Sequence, residues 1–209
     1  VIVNDRGDAR AVQTLIDALP ESARKRVRCV EAPEGLQREG LINPGIEASE
    51  SEYVTVLDDD DSWEPEFLAK TVGYLDSSEG QRYGGVVTGS RIIFERLAKN
   101  KLKTEVTTDI TGWMRDLTLF QMLGQNLFPI HALVYRRDLL KKTGPYKNLS
   151  VLGDWEFNIR LMIEADLAEI TDYVGANYHQ RLSSDRDAAR CDSCTLSIPA
   201  RNTSLTYAA

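Results

Sequence analysis

The sequence predicts an α/β domain: a mainly parallel sheet flanked by helices, with a small antiparallel excursion. Three observations carry that prediction. Short apolar runs alternate with stretches whose apolar residues recur at helical spacing, the pattern of strand–helix–strand units. The first run and the one at residues 53–57 lead straight into Asn- and Asp-rich clusters, which turn a chain at a strand end. Residues 91–97 and 102–108 instead read as two strands turning at Asn100, a local antiparallel pair.

In order along the chain, residues 1–3 form an apolar strand ending in Asn4-Asp5-Arg6-Gly7-Asp8. Val12, Leu15, Ile16 and Leu19 then repeat at helical spacing until Pro20 stops them. Residues 27–30 make a second strand, 41–48 a helix and 53–57 a third strand. Pro65 opens a helix whose apolar face is Phe67, Leu68, Val72 and Leu75. Residues 84–88 read as strand, 112–123 as helix and 132–135 as strand. Asp154 opens a helix to about residue 165, with Trp155, Ile159 and Met162 on one side. From Gln180 onward Ser, Asp, Arg and Asn dominate, predicting an irregular tail.

A chain of 209 residues, 42% hydrophobic and 27% charged, buries one well-formed core, so a single domain spanning 1–209 is expected. The net charge of −7 argues against a nucleic-acid partner. No apolar run reaches the roughly 20 residues that span a bilayer. Three cysteines do not suggest a disulfide framework, and Cys191 and Cys194 lack a second pair to complete a zinc site. A cytoplasmic location is expected, with room for peripheral association at the inner face of a membrane.

The most informative stretch is Tyr53-Val-Thr-Val-Leu-Asp58-Asp59-Asp60-Asp61-Ser62-Trp63-Glu64-Pro65, where an apolar run drives into four consecutive aspartates. Alternation along a strand puts Asp58 and Asp60 on one side. Such carboxylates repel unless they share a cation; a hard divalent ion, Mg²⁺ or Mn²⁺, offsets the repulsion and can also hold diphosphate oxygens. A solvated acidic turn leading into the Pro65 helix would need only one aspartate. An EF-hand calcium loop fails because its sixth position is Trp63 and its twelfth Ala69. Asp5 closes another strand end, and ligands of open α/β sheets bind beyond such ends, so the two acidic ends point to a nucleotide-diphosphate pocket.

These segments, taken in order, resemble the family 2 glycosyltransferases of the GT-A (Rossmann-like) fold, which use nucleotide sugars. Val3 to Asp8 (VNDRGD) resembles the family's VNDGSTD turn. Leu41 to Pro65 resembles its N-x-G-I-x-x-A-x-G-E-Y-I-x-x-L-D-x-D-D run, and Leu152 to Leu161 (LGDWEFNIRL) its E-D-W-D-x-x-x-R helix. Two departures stand out: Arg6-Gly7 replaces the usual Gly-Ser, and the chain starts at what should be the family's second strand, its first being missing from the sequence.

The resemblance implies a nucleotide-binding half over residues 1–110 and an acceptor half with a C-terminal tail over 111–209. It implies an inverting, metal-dependent transfer of sugar from a nucleotide-diphospho-sugar, a UDP-sugar first, to a saccharide acceptor in polysaccharide or cell-surface glycan synthesis. Position by position, Asp5 would contact the base, Asp59 the ribose of the nucleotide or the metal shell, Asp60 with Asp58 the metal, Asp58 also the nucleotide as it completes the acidic turn, and Arg38 the nucleotide. Asp154 would be the catalytic base and Trp155 the floor of the acceptor pocket, its face suited to a sugar ring. A helix N-cap is the competing role for Asp154.

His131 and His179 are the only histidines. The family layout implies His179 as a C-terminal metal ligand and His131 as part of the acceptor wall. Asn126 is a candidate for an acceptor hydroxyl, and Arg181, Arg186 and Arg190 for a lid on the diphosphate, against the plainer roles of turn and surface residues. Two other readings remain open from sequence: a sugar-1-phosphate nucleotidyltransferase, and a non-catalytic nucleotide- or carbohydrate-binding domain of a larger synthase.

Overall fold

The computed structural model describes residues 1–98, 101–114 and 116–181. The turn expected at Asn100 and the tail carrying Arg186, Arg190, Cys191 and Cys194 lie outside the described residues. The elements are β1 (Ile2–Asn4), α1 (Ala9–Asp17), α2 (Glu21–Arg24), β2 (Cys29–Glu31), α3 (Ile42–Glu47), β3 (Tyr53–Val54), β4 (Ser62–Trp63), α4 (Phe67–Asp76), β5 (Gly85–Ala98), β6 (Lys101–Asp109), α5 (Leu119–Gly124), β7 (Leu133–Arg136), α6 (Leu140–Thr143), α7 (Gly153–Glu164) and β8 (Leu167–Arg181).

Local chemistry explains most of these bounds. Asp8 caps α1 by accepting from the backbone N–H groups of Arg10 and Ala11, and the helix is over before Pro20. The helix expected at 41–48 begins as a 3₁₀ turn, Glu39–Leu41, that runs into α3. The helix expected at 112–123 is two pieces, a 3₁₀ turn at Thr111–Met114 and then α5 with Thr118 as its cap, and Asp116 between them has φ 63°. A left-handed residue cannot continue a right-handed helix.

The sheet corrects the expectation of mainly parallel pairing. β1 and β2 form a parallel pair of their own, and the other strands form one mixed sheet in the order β3-β7-β5-β8-β4, with β6 on β5. Only β5 with β8 is parallel there; β3–β7, β5–β7, β5–β6 and β4–β8 are antiparallel. The helical crossover read from the sequence exists, since α4 connects β3 and β4 to β5. A later strand, β7, slots between β3 and β5 in the opposite direction, so the ends of the crossover are not neighbours.

Three strands depart from the sequence reading: β5 runs unbroken through the strands expected at 84–88 and 91–97, β3 is shorter than expected, and no strand was read where β8 lies. Pairing stops at Val54, because beyond it the chain leaves the sheet for the acidic turn. β8 extends to Arg181, through a polar stretch expected to be irregular from Gln180, because after register shifts around Gly89 β5 pairs with it residue for residue from Ser90–Ala176 to Glu95–Arg181. The core forms two clusters: Val87, Leu133 and Ala176 of the sheet pack with Met122 of α5 and Phe157 and Leu161 of α7, and Val86 and Val134 pack with Phe67 and Leu75 of α4. Tyr146 stacks on Phe157 at 3.7 Å between centroids and anchors the segment before α7. Among the described residues no helix is long and apolar enough to cross a membrane.

Candidate active site

The acidic turn is set by what holds its two flanks. On the entry side, Thr55 Oγ1 donates to Leu133 O at 2.8 Å, and Asp61 N–H closes the turn on Asp58 O at 3.2 Å. On the exit side, Ser62 and Trp63 pair with Asn177 and Ala176 of β8. The Trp63 indole N–H donates to His131 O at 2.7 Å, and its ring stacks on Phe67 at 4.8 Å. A run of aspartates, each repelling the next, is thus clamped between two strands of the main sheet.

Within this frame Asp58, Asp60 and Asp61 each bring a carboxylate oxygen to within 4.8 Å of the others. Asp59 is exposed and is not among these grouped carboxylates; the grouping arises in a turn, since β3 ends at Val54. Burial, then the negative charges of Asp61, Asp58 and Asp59, push the Asp60 carboxyl above its ordinary value. Arg38 pairs with Asp58; although burial disfavours its charge, the Asp58 contact prevails and raises its pKa. The cluster therefore holds more negative charge than its one guanidinium neutralises. Three oxygen donors with that surplus fit a hard divalent cation.

Both histidines stand behind this cluster, each with a carboxylate partner. His131, 1% exposed, brings Nδ1 to 3.0 Å from Asp61 Oδ2, off the line of a full hydrogen bond, and its Nε2 is buried without a partner. That places it beneath the acidic turn rather than on an open acceptor wall. His179 meets Ser62 Oγ through Nε2 at 2.8 Å and Glu95 through Nδ1 at 3.3 Å, while its backbone N–H donates to Asp61 Oδ1 at 2.9 Å. With both ring nitrogens so engaged, His179 is not among the grouped ligand atoms.

The second candidate region is the start of α7. Asp154 is not the N-cap: that position is Leu152, held at φ 58° with no side-chain cap. A branched residue in the left-handed region stores strain of order 1–3 kcal/mol, a feature that collects at functional sites. Gly153 follows because a Cβ there would lie 2.5 Å from the Glu39 side chain. Asp154 Oδ2 accepts from Asn126 Nδ2 at 3.0 Å, and Asn126 Oδ1 accepts from buried Asn158 Nδ2 at 3.3 Å. Asn126 thus orients Asp154 rather than standing alone. Trp155 is half-buried, its indole N–H bonded to Met122 O at 2.6 Å, which fixes the ring beside Asp154.

Asp5 stands at the end of β1, where Arg6, at φ 58°, folds back to pair with it at 2.9 Å. It belongs to the separate β1–β2 pair, so the structure hydrogen-bonds the two acidic strand ends into different sheets. Arg181 ends β8 and is exposed. Sequence reasoning passed over Tyr178, Glu95 and Asn177. Tyr178 stands beside Arg38, Asp60 and Asp61, with its ring 5.9 Å from that of His131, and burial raises its phenol pKa. Asn177, Tyr178, His179 and Gln180 are all polar, and their burial does not alternate, so no strand signal was there to read.

The sequence profile described as glycosyl transferase family 2 matches residues 1–144. The chain belongs to that family. Solved structures agree on the architecture. TarS residues 1–349 from S. aureus in complex with UDP-GlcNAc superposes with a TM-score of 0.61 at 15% identity, over 87% of this chain and 49% of that one. A second crystal structure of TarS residues 1–349 gives 0.59 at 16%, over 85% and 50%. The mannosyltransferase PcManGT from Pyrobaculum calidifontis, in complex with GDP-Man and Mn2+, gives 0.56 at 16%, over 83% and 45%. This family 2 chain therefore has the GT-A fold of glycosyltransferases and spans about half the length of the structures it matches. No curated protein matches it in sequence.

Proposed function

We propose that this glycosyltransferase is an inverting, metal-dependent enzyme that moves a sugar from a nucleotide-diphospho-sugar, with a UDP-sugar as first choice, to a hydroxyl of a saccharide acceptor. Its setting is polysaccharide or cell-surface glycan synthesis. The observation that carries the reading is the convergence of Asp58, Asp60 and Asp61 within 4.8 Å at the mouth of the sheet, with Arg38 on Asp58. The two solved relatives whose descriptions name nucleotide sugars, one of them with Mn2+, support it.

Each residue has a task in this reading. Asp58 and Asp60 would hold Mg²⁺ or Mn²⁺, which when bound supplies positive charge to the departing diphosphate. Arg38, already drawn to the acidic turn, is placed to exchange its carboxylate partner for a phosphate oxygen. Asp5 accepts a hydrogen bond from the base, and Asp59 serves the nucleotide from the outer side of the turn. Asp154 takes the acceptor hydroxyl proton, and Asn126 keeps its carboxylate aimed by the 3.0 Å bond. Trp155 floors the acceptor pocket.

The test is product analysis with a panel of nucleotide sugars, with and without chelator. Metal-dependent release of nucleoside diphosphate is expected. Pyrophosphate release would instead identify a nucleotidyltransferase, and binding without either product a non-catalytic domain.

A further inference from the structure

Three carboxylates face one another in the acidic turn, but they are not equivalent. The Asp61 side chain is 1% exposed; its Oδ1 accepts from the backbone N–H of His179 at 2.9 Å, and its Oδ2 lies 3.0 Å from His131 Nδ1, close but off the line of a full hydrogen bond. His131 also grips the chain two residues further on, where its carbonyl accepts the Trp63 indole N–H at 2.7 Å. One residue therefore holds the turn on either side of Ser62.

The imidazole brings a burden that an apolar side chain would not. A neutral ring has one N–H; with Nδ1 turned to a carboxylate, Nε2 is a bare acceptor, and here it is buried without a partner. Leaving such an atom unsatisfied is unfavourable. What the ring provides in return is the second fixed point on Asp61.

Resting on the functional reading above, we propose that His131 is a positioning residue of the donor site: it fixes Asp61 from beneath the acidic turn, so that the three carboxylates are presented together to the ion and diphosphate. Groups that orient metal ligands typically contribute about 10- to 100-fold to metal affinity.

The experiment compares His131→Phe with His131→Asn, measuring Mn²⁺ dissociation by electron paramagnetic resonance together with donor and acceptor KM. His131→Phe should weaken Mn²⁺ by about tenfold or more and raise donor KM, with acceptor KM unchanged. Asparagine, whose amide N–H reaches the place of Nδ1, should restore most of both. Unchanged Mn²⁺ affinity in folded His131→Phe, equal losses in the two variants, or a change confined to acceptor KM would each overturn the proposal.

Should His131→Phe not fold, imidazole ¹⁵N shifts decide. The parent should show the Nδ1–H tautomer and Asp61→Asn the Nε2–H tautomer, because the substituted amide must keep its oxygen on the His179 N–H and turn its NH₂ to His131. The Nε2–H form in the parent, or no change in the variant, refutes the assignment. Asp60→Asn serves as the control for the functional reading itself. If it leaves Mn²⁺ binding intact, that reading fails too; if it abolishes binding while His131→Phe does not alter it, only this inference fails.

Discussion

The acidic turn and the start of α7 are the two candidate regions, and they are held in place differently. The acidic turn depends on contacts distant in sequence: Asp61 leans on residues 131 and 179, and Trp63 on residue 131. The start of α7 depends on a strained Leu152, a glycine made necessary by Glu39, and a short amide chain from Asn158 through Asn126 to Asp154. One gathers repelling charges and needs the whole sheet to restrain them. The other aims a single carboxylate and needs little more than a helix and its neighbour.

The sharpest way to break that contrast is Asp154→Asn. Asparagine can still accept from Asn126 Nδ2, and because Leu152 is the cap, no capping bond is lost. The substitution removes only a charge near a helix N-terminus, about 0.3–1 kcal/mol. Turnover should fall roughly 10²- to 10⁴-fold with donor affinity retained. Single-turnover kinetics alongside calorimetry of the nucleotide check both halves; turnover within a few-fold of the parent would remove Asp154 from the base role.

Asp60→Asn probes the other end. Metal-dependent nucleotide binding should disappear, because one of the converging carboxylates becomes a neutral amide. Metal-free protein should melt slightly higher, since a carboxyl pushed up by burial and then by its neighbours' charges is replaced by a neutral amide. For a partly exposed group the gain is on the order of 0.5 kcal/mol, a degree or two for a chain of this size. A melting point that falls instead would mean that Asp60 acts chiefly as structural glue.

How legible each end was follows from the same contrast. Motifs contiguous in sequence were readable: the run of aspartates after the 53–57 segment, the apolar face behind Asp154, and the Pro65 boundary of α4. What escaped reading was tertiary. Strand β7 inserts antiparallel between β3 and β5, and nothing local in residues 133–136 announces a direction. β8 carries Tyr178 and His179 to the acidic turn in a segment too polar to resemble a strand, since it gains its order from pairing with β5. Hydrogen bonds to a partner strand leave no mark on hydropathy. Leu152 was unreadable as a cap for a different reason: leucine has no preference for the left-handed region, so only packing places it there.

The smallest expected effect concerns the frame behind Asp154. Glu156, two residues along α7, is gripped by Arg160 at 2.8 Å through both oxygens and by Lys147 at 2.6 Å, while Arg160 also donates to the carbonyls of Thr143 and Pro145. Burial alone would raise the Glu156 pKa; the hydrogen bonds from Arg160 and Lys147 prevail and hold it below the ordinary glutamate value. A folded pKa below the unfolded one means that the unfolded chain binds more protons in that window, so stability rises with pH there. The contribution is complete above the unfolded value near 4.3 and is lost as pH falls through the lower folded value. Comparing parent with Glu156→Gln in urea at a series of pH values isolates it. The parent should be more stable near neutrality by on the order of 1 kcal/mol, a partly exposed pair being screened, and the gap should close toward strong acid. A gap that is constant with pH would assign the loss to packing, whereas high salt should shrink a genuine charge effect and leave the Asp154 end otherwise unmoved.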